Sequence, residues 1–520
     1  MQAVATGWTA EERDSTRKIV ASTQVSWKKS FNSTIALFTI GVSTIGGVDT
    51  IASDGGITSD WNKYQYDDES QYLTGLSYER NLQVPIGGVA KAIAEVNLDN
   101  TDGRFTPRYM GGNSELFTAV VPRRPIIINA GFNYDGIDNQ IPQFVGVTTK
   151  TPETSLRNST TKLQADDFMG FLQNRYVDNT SMFTGLSTDA VIGNILTDLG
   201  YATAQYSLDP GISIIPFGLF EVGTRYIDII NKLVQAENGN FYQDETGVLR
   251  FENRQHYDSA PYTQVQRVLA TSQVIEAKAP DESHIINVVE VKSQPRAKQV
   301  LQVIHNSSPG QEILANSTFE LFVTFDNPIL EVISPSSGGT NSYYLANISE
   351  DGSGVDATSS VTLKSISNFA QSSKLTFQNN SSSNCFLTTL VVSGRPAKVI
   401  TQLYTRMQDD SSVTAYEERP YKIENDYIQS QSWANSFAQM VLNDFSDPES
   451  LQEITIRALP ELQMGDLISW QGRYWRIYGI KTSISPSGGF LQTIKILQRT
   501  IVSYFRIGIS TIGSTDQIAP

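Results

Sequence analysis

The sequence predicts a mainly β, multi-domain chain with minor α, and three observations carry that expectation. At 520 residues the chain has length for about three to five domains of ordinary size. Most of it divides into short alternating runs bounded by Gly, Asn, Asp and Pro, the period-two signature of half-buried strands. Helical periodicity is confined to a few stretches.

In chain order, Thr9-Ala-Glu-Glu12 reads as a capping box opening a short helix toward Val20. The charges Glu11, Glu12, Arg13 and Asp14 exclude the apolar core of a signal peptide. Ala92–Leu98 alternates as a strand and runs into Asp102-Gly103, a tight turn. Ser187 is placed to cap a helix with Val191, Ile195 and Leu199 on one face and Gly200 as its stop. A second helix starts after Thr224, carries Ile230, Leu233 and Val234 inward and ends near Gly239. From Pro309 to Pro396 the composition shifts to Ser, Thr, Gly and Asn, with strands such as Thr318–Phe325, Ser360–Ile366 and Lys374–Phe377, which predicts one inserted β-sandwich. The interruption implies that a barrel strand near Ile285–Val291 is completed by strands after Leu451. A third helix spans about Ser432 to Phe445, with Trp433, Phe437 and Val441 on one side and Asp447-Pro448 ending it.

Composition narrows the chemistry. With 39 Lys+Arg against 54 Asp+Glu, the net charge is −15, and clusters such as Lys28-Lys29 and Arg123-Arg124 are too short to grip nucleic acid. One cysteine, Cys385, makes neither an intrachain disulfide nor a Cys-based zinc site. The three His, at 256, 284 and 305, fall in no metal-binding spacing, and His256 reads as a surface or hydrogen-bonded residue. Ser43 and Ser510 sit in Gly-x-Ser-x-x-Gly, one residue off a nucleophile elbow. Asn97–Gly103 fails as a calcium loop, since position six is Asp102 and position twelve Arg108. Gly87-Gly88-Val-Ala-Lys91 lacks phosphate-loop spacing, and Asp166-Asp167 reads as a cap on the turn Phe168–Leu172 rather than a catalytic pair. No apolar run reaches the ~18 residues of a membrane span. These readings imply no enzyme, no cofactor, no metal and no stable membrane anchoring.

One repeat stands out. Phe38–Ala52 aligns without gaps on Phe505–Ala519, with ten of fifteen positions identical. One reading makes each copy a portable peptide that docks on an edge strand or pocket of another subunit, with Phe38, Ile40, Ile45, Asp49 and their counterparts Phe505, Ile507, Ile512, Asp516 as docking residues. The other pairs the two copies inside one fold.

Several ordered segments carry a resemblance: Ala94–Pro107, Pro122–Phe132, Phe144–Val147, Thr161–Leu172, Ala236–Phe251, Asn287–Val291, Leu459–Trp470, Trp475–Ile480 and Phe490–Leu497. Together, over roughly residues 75–500, they resemble the tail-hub or baseplate-hub (minor tail) proteins of tailed bacteriophages, related in fold to the spike-hub proteins of contractile injection systems. The resemblance implies two tail-tube-like β-barrels, a small α/β domain and the inserted β-sandwich. It divides the chain into an N-terminal helix and arm (1–70), a first barrel (71–178), the α/β domain (179–260), a second barrel (261–309 and 446–503), the sandwich (310–396), a connecting segment with a helix (397–445) and a C-terminal arm (504–520).

It further implies a homotrimer whose six barrels form a six-fold-like ring at the tail tip of the virion, assembled in the host cytoplasm. The implied partners are the tail tube or distal tail protein, tail fibre or tip proteins and the tape measure protein, with DNA passing through during host entry without specific binding. A conduit of that kind is expected to be acid-lined, since each neutralised phosphate adds affinity. Two rivals remain: an adhesin binding carbohydrate through the sandwich, and a glycosidase using an Asp/Glu pair ~5–10 Å apart, for which no motif speaks.

Overall fold

A computed structural model of the chain describes residues 1–4, 7–8, 12, 17–28, 64–178, 180–278, 282–447, 451–485 and 489–499. It is mainly β with few helices. Its frame is one 14-stranded sheet built from two halves of the chain.

The first half contributes Lys18–Val25, Leu73–Asn81, Ala92–Asp99, Pro125–Tyr134, Ile137–Thr148 and Thr160–Asp166. Alternation sends Leu76, Tyr78, Ala94, Val96, Ile126, Ile128 and Leu163 into one core, where Trp27 and Phe105 close the loop side. The second half is made by Val274–Ala277 and by the strands after Leu451, and its core holds Ile454, Ile456, Ile468, Trp470, Trp475, Ile494 and Ile496. Leu73–Asn81 then pairs antiparallel with Arg473–Ser485, from Leu76 opposite Ile484 to Asn81 opposite Gly479, and fuses the halves.

That pairing corrects the expectation of two tail-tube-like β-barrels, for neither half closes into a barrel. A half closes only if its two end strands meet each other, and here Leu73–Asn81 and Arg473–Ser485 spend their outer edges on one another. The fused sheet ends on Val274–Ala277 at one side and on the Lys18–Val25 and Asp67–Asp68 pair at the other.

Two further expectations change. The N-terminal helix does not extend toward Val20: Trp8 and Glu12 are helical, but from Lys18 the chain is a strand in register with Asn133 back to Ile126. Eight ladder positions against a buried neighbour outweigh the local capping signal. Nor do the strands after Leu451 complete the strand near Ile285–Val291. Val288–Ser293 lies instead between Leu403–Gln408 and Pro420–Glu424 in a separate three-stranded sheet. Val289 and Val291 pack there under Phe437, Ala438 and Val441 of the connecting helix.

The helices follow their sequence signals. Thr188–Asp198 begins after Ser187 as expected, although the Ser187 hydroxyl donates to Asp189 instead of capping the first turn, and Tyr226–Glu237 ends on Asn238 in the left-handed conformation. Gln431–Phe445 is capped by Ser430, whose hydroxyl accepts from the Trp433 amide. The Asp102-Gly103 turn forms, with Gly103 at φ +74° and its amide bonded to the Asn100 carbonyl.

Between Arg296 and Val399 two sheets pack on one core. The 15-residue strand Cys385–Val399 organises the larger, and Thr318–Thr324, Ser372–Asn379 and Val361–Asn368 form the smaller. Leu375 and Phe377 meet Leu387, Leu390 and Val392 across the interface, and Cys385 is buried and free.

Candidate assembly surfaces

The docking residues expected from the repeat, Phe38, Ile40, Ile45, Asp49, Phe505, Ile507, Ile512 and Asp516, lie outside the described residues. What the described residues bring together is the seam between the halves, which sequence reading missed. Arg80, on the joining strand, donates to Glu245 at 2.6 Å, and both side chains are 5% exposed. Gln463 of the second half donates to the same carboxylate, so one buried anion ties the first half, the α/β piece and the second half. Tyr78, also on the joining strand, donates to Gln143 at 2.6 Å, and Gln143 donates to the Pro460 carbonyl at 3.0 Å. Burial pushes the Tyr78 hydroxyl well above its ordinary range. The indole of Trp8 donates to Glu461 at 3.0 Å, and Arg267 pairs with Glu12.

Asp166 and Asp167 diverge as adjacent strand residues should. Asp166 faces solvent and pairs with Lys91. Asp167 is buried and accepts from the amides of Ala92 at 2.6 Å and Met169 at 3.1 Å, the capping role expected of it. Burial outweighs those two donors and pushes its carboxyl up to about 7.

The most reactive-looking cluster surrounds His256. Its Nδ1 lies 2.6 Å from Asp209 and its Nε2 3.4 Å from Glu252. Glu252 is buried, which raises its pKa, and it accepts from Tyr242 at 2.6 Å and from Tyr257. Tyr257 in turn lies under the Arg476 guanidinium, 4.4 Å from its ring centroid, and against Gly465, where a Cβ would come within 2.3 Å of the ring. Both Glu252 oxygens are thus committed to phenols, and the arrangement braces the α/β piece against the second half. A comparable brace joins the connecting helix: Arg254 stacks on Trp433 at 4.0 Å and pairs with Glu237 at 3.0 Å. Among the described residues no group of three or more His, Cys, Asp and Glu could hold a metal ion, and no helix is long and apolar enough to cross a membrane.

The surfaces left for partners are edges and faces. On the outer side of Val274–Ala277, and along Ile19–Ser22, no further strand pairs among the described residues. Such edges carry a row of backbone donors and acceptors ready for another chain. A cavity of about 210 Å³ opens where the insertion leaves the body, lined by Phe217, Lys232, Arg296, Asp426 and Tyr427 among others.

No protein-family model matches the chain, and no curated protein matches it. Among solved structures, the 43 kDa tail protein of prophage MuSo2 from Shewanella oneidensis is similar over 84% of this chain and 95% of its own, at 10% identity and a TM-score of 0.44. A tail protein from Neisseria meningitidis MC58 is similar over 93% and 97%, at 10% identity and a TM-score of 0.45. A component of the Escherichia coli type VI secretion system is similar over 82% and 74%, at 9% identity and a TM-score of 0.36. These are phage tail proteins and a secretion component, the group that the ordered motifs resemble.

Proposed function

We propose that the chain is a structural virion protein: a homotrimeric hub at the tip of a phage tail that joins the tail tube to fibres or tip proteins and forms part of the conduit for DNA. One observation carries the reading. Two halves are fused into one sheet, and among the described residues no further strand pairs on the outer side of Val274–Ala277 or along Ile19–Ser22, as a subunit extended by its neighbours requires. The order of the hub-like motifs along the sequence supports it independently.

The repeat completes the reading. Two copies per chain in a trimer present six near-identical peptides, one for each site of a six-fold partner ring such as the tail tube. Native mass spectrometry tests the oligomer, with a species at three times the 57.4 kDa chain mass as the expected result and a monomer as the refuting one. Deleting residues 504–520 leaves the fold intact and abolishes capture of the tube partner; undiminished capture refutes the docking role.

A second reading, a carbohydrate-binding adhesin, is favoured by one surface of the insertion. Phe322 is 63% exposed on the outer side of the three-stranded sheet, with the Lys374 ammonium 5.8 Å from its ring. A monomer that binds glycans through this face would favour the adhesin over the hub.

A further inference from the structure

The joined sheet has a solvent side that crosses the seam without interruption. Register places Thr455 opposite Thr493, Thr493 opposite Lys481, Lys481 opposite Glu79, Glu79 opposite Ile93, and Ile93 opposite Asp166. A neighbouring row sets Glu453 opposite Lys495, and another sets Glu95 opposite Gln164, beside Lys162. Because side chains alternate, these residues share one face. Ile93, near its middle, is 49% exposed, so the face is open in the single chain.

Every lysine of this face has a carboxylate. Lys162 pairs with Glu95 at 2.7 Å, Lys495 with Glu79 at 3.5 Å and Lys481 with the same Glu79 at 3.8 Å. Lys91 pairs with Asp166, and Lys278, just past the edge strand, with Glu453. Lys162–Glu95 and Lys481–Glu79 cross between neighbouring strands, Lys495 reaches Glu79 across the strand Arg473–Ser485, and Glu79 bridges the first half of the chain to the second. Burial alone would raise the Glu79 carboxyl, but the hydrogen bond from Asn81 and the two lysines hold it below its ordinary value. Pairs this exposed add little to folding stability, about 0–1 kcal/mol each, so stability is a poor reason for so complete a matching.

We infer that this face is a contact surface for passing DNA, kept non-adhesive because each lysine is matched by a cross-strand or adjacent carboxylate. The inference rests on the hub reading above and replaces a uniformly acidic lining with a charge-matched one. A bare lysine that neutralises a phosphate releases a counterion and adds salt-dependent affinity. A lysine with a carboxylate 2.7–3.8 Å away is a dipole well inside the ~10 Å screening length at 0.1 M salt, and presents little net charge to a phosphate beyond it. Arg457 is exposed on the same side of the strand as Glu453 and Thr455, so the backbone of DNA meets one arginine there but neither a row of anchors nor a strongly repelling wall.

The test is binding of a labelled linear duplex of about 30 base pairs, long enough to thread a ring, followed by fluorescence anisotropy between about 50 and 200 mM salt. The wild-type chain is expected to show no saturable binding. Glu79→Gln, Glu95→Gln and Glu453→Gln together free Lys162, Lys278, Lys481 and Lys495. That variant is expected to bind with a log–log salt slope of about −3 to −4, losing roughly a hundredfold in affinity across the range. A control with Glu312→Gln, Glu350→Gln and Glu417→Gln, away from this face, carries the same change in net charge and is expected to stay inert. The single variant Glu95→Gln, which frees Lys162 alone, is expected to show a slope of about −1 and tests the idea if the triple variant misfolds. Tight salt-dependent binding by the wild type, inert Gln variants, or a control that binds like the triple variant each overturn the inference. The hub reading is judged separately on trimer mass, so a trimer whose wild-type form grips DNA rejects the charge matching alone.

Discussion

Replacing Arg80 with Leu tests whether the seam between the halves is held by its buried ion pair. Arg80 and Glu245 are each 5% exposed and 2.6 Å apart. Removing one member of such a pair costs about 3–5 kcal/mol, because the survivor stays buried and charged. Arg80→Leu falls at the lower end, since Gln463 still donates to Glu245. Glu245→Leu falls at the upper end, for it strands a guanidinium whose Nε is already without a partner. The double variant removes both charges together and costs at most about 1–2 kcal/mol, so the coupling is about 6 kcal/mol or more. For a cooperative unit of roughly 200 residues, each single substitution lowers Tm by about 6–20 °C. Differential scanning calorimetry of the four proteins reads the cycle. Single variants that melt within a few degrees of wild type, or a double variant as unstable as the two singles combined, would refute the reasoning.

Three more outcomes follow from local geometry. Asp167 titrates at about 7 in the fold against 3.8 in its ordinary state, so the native chain holds the extra proton between those values and stability falls as pH rises through that window. The fall is at most about 4 kcal/mol, and Asp167→Asn should remove it; parallel Tm-against-pH curves for the two proteins would contradict this. A Cβ at Gly87 would sit 1.6 Å from the Gly239 carbonyl oxygen, so Gly87→Ala forces the strand Gly88–Val89 away from the α/β piece and costs roughly 1–3 kcal/mol or more, read as a lowered Tm. Phe322→Ala, at a side chain 63% exposed, is expected to leave Tm unchanged within the ~0.5 kcal/mol typical of surface sites; a marked loss would show Phe322 to be structural.

The three longest helices were legible because apolar residues recur at three- and four-residue spacing with a local boundary signal, Ser187 and Gly200 around the first, Asn238 after the second and Ser430 before the third. Strand partners carry no such record. Val288–Ser293 reads as a buried strand whichever neighbour it takes, and its true partners, Leu403–Gln408 and Pro420–Glu424, lie more than 100 residues away. The Arg80–Glu245 pair is separated by 165 residues, beyond the reach of any periodicity. The charged face was half-visible, since Glu95 and Lys495 each stand between inward-facing apolar neighbours, a pattern that announces a solvent side but not that strands from opposite ends of the chain share it.

For the trimeric hub proposed above, the antiparallel ladder from Leu76–Ile484 to Asn81–Gly479 would have a consequence for how the ring of chains comes together. Tube-like units on separate chains must find every joint by diffusion, at the concentration of the chain in the cell. Here the joint between the two halves is closed within a single polypeptide, where tethering sets an effective concentration on the order of millimolar. If the proposed trimer forms, its six-unit ring would need three encounters rather than six, and the orientation of alternate units would be settled before any partner arrives. Errors of order or handedness are confined to the remaining three joints, each formed by a strand edge that folding has already aligned.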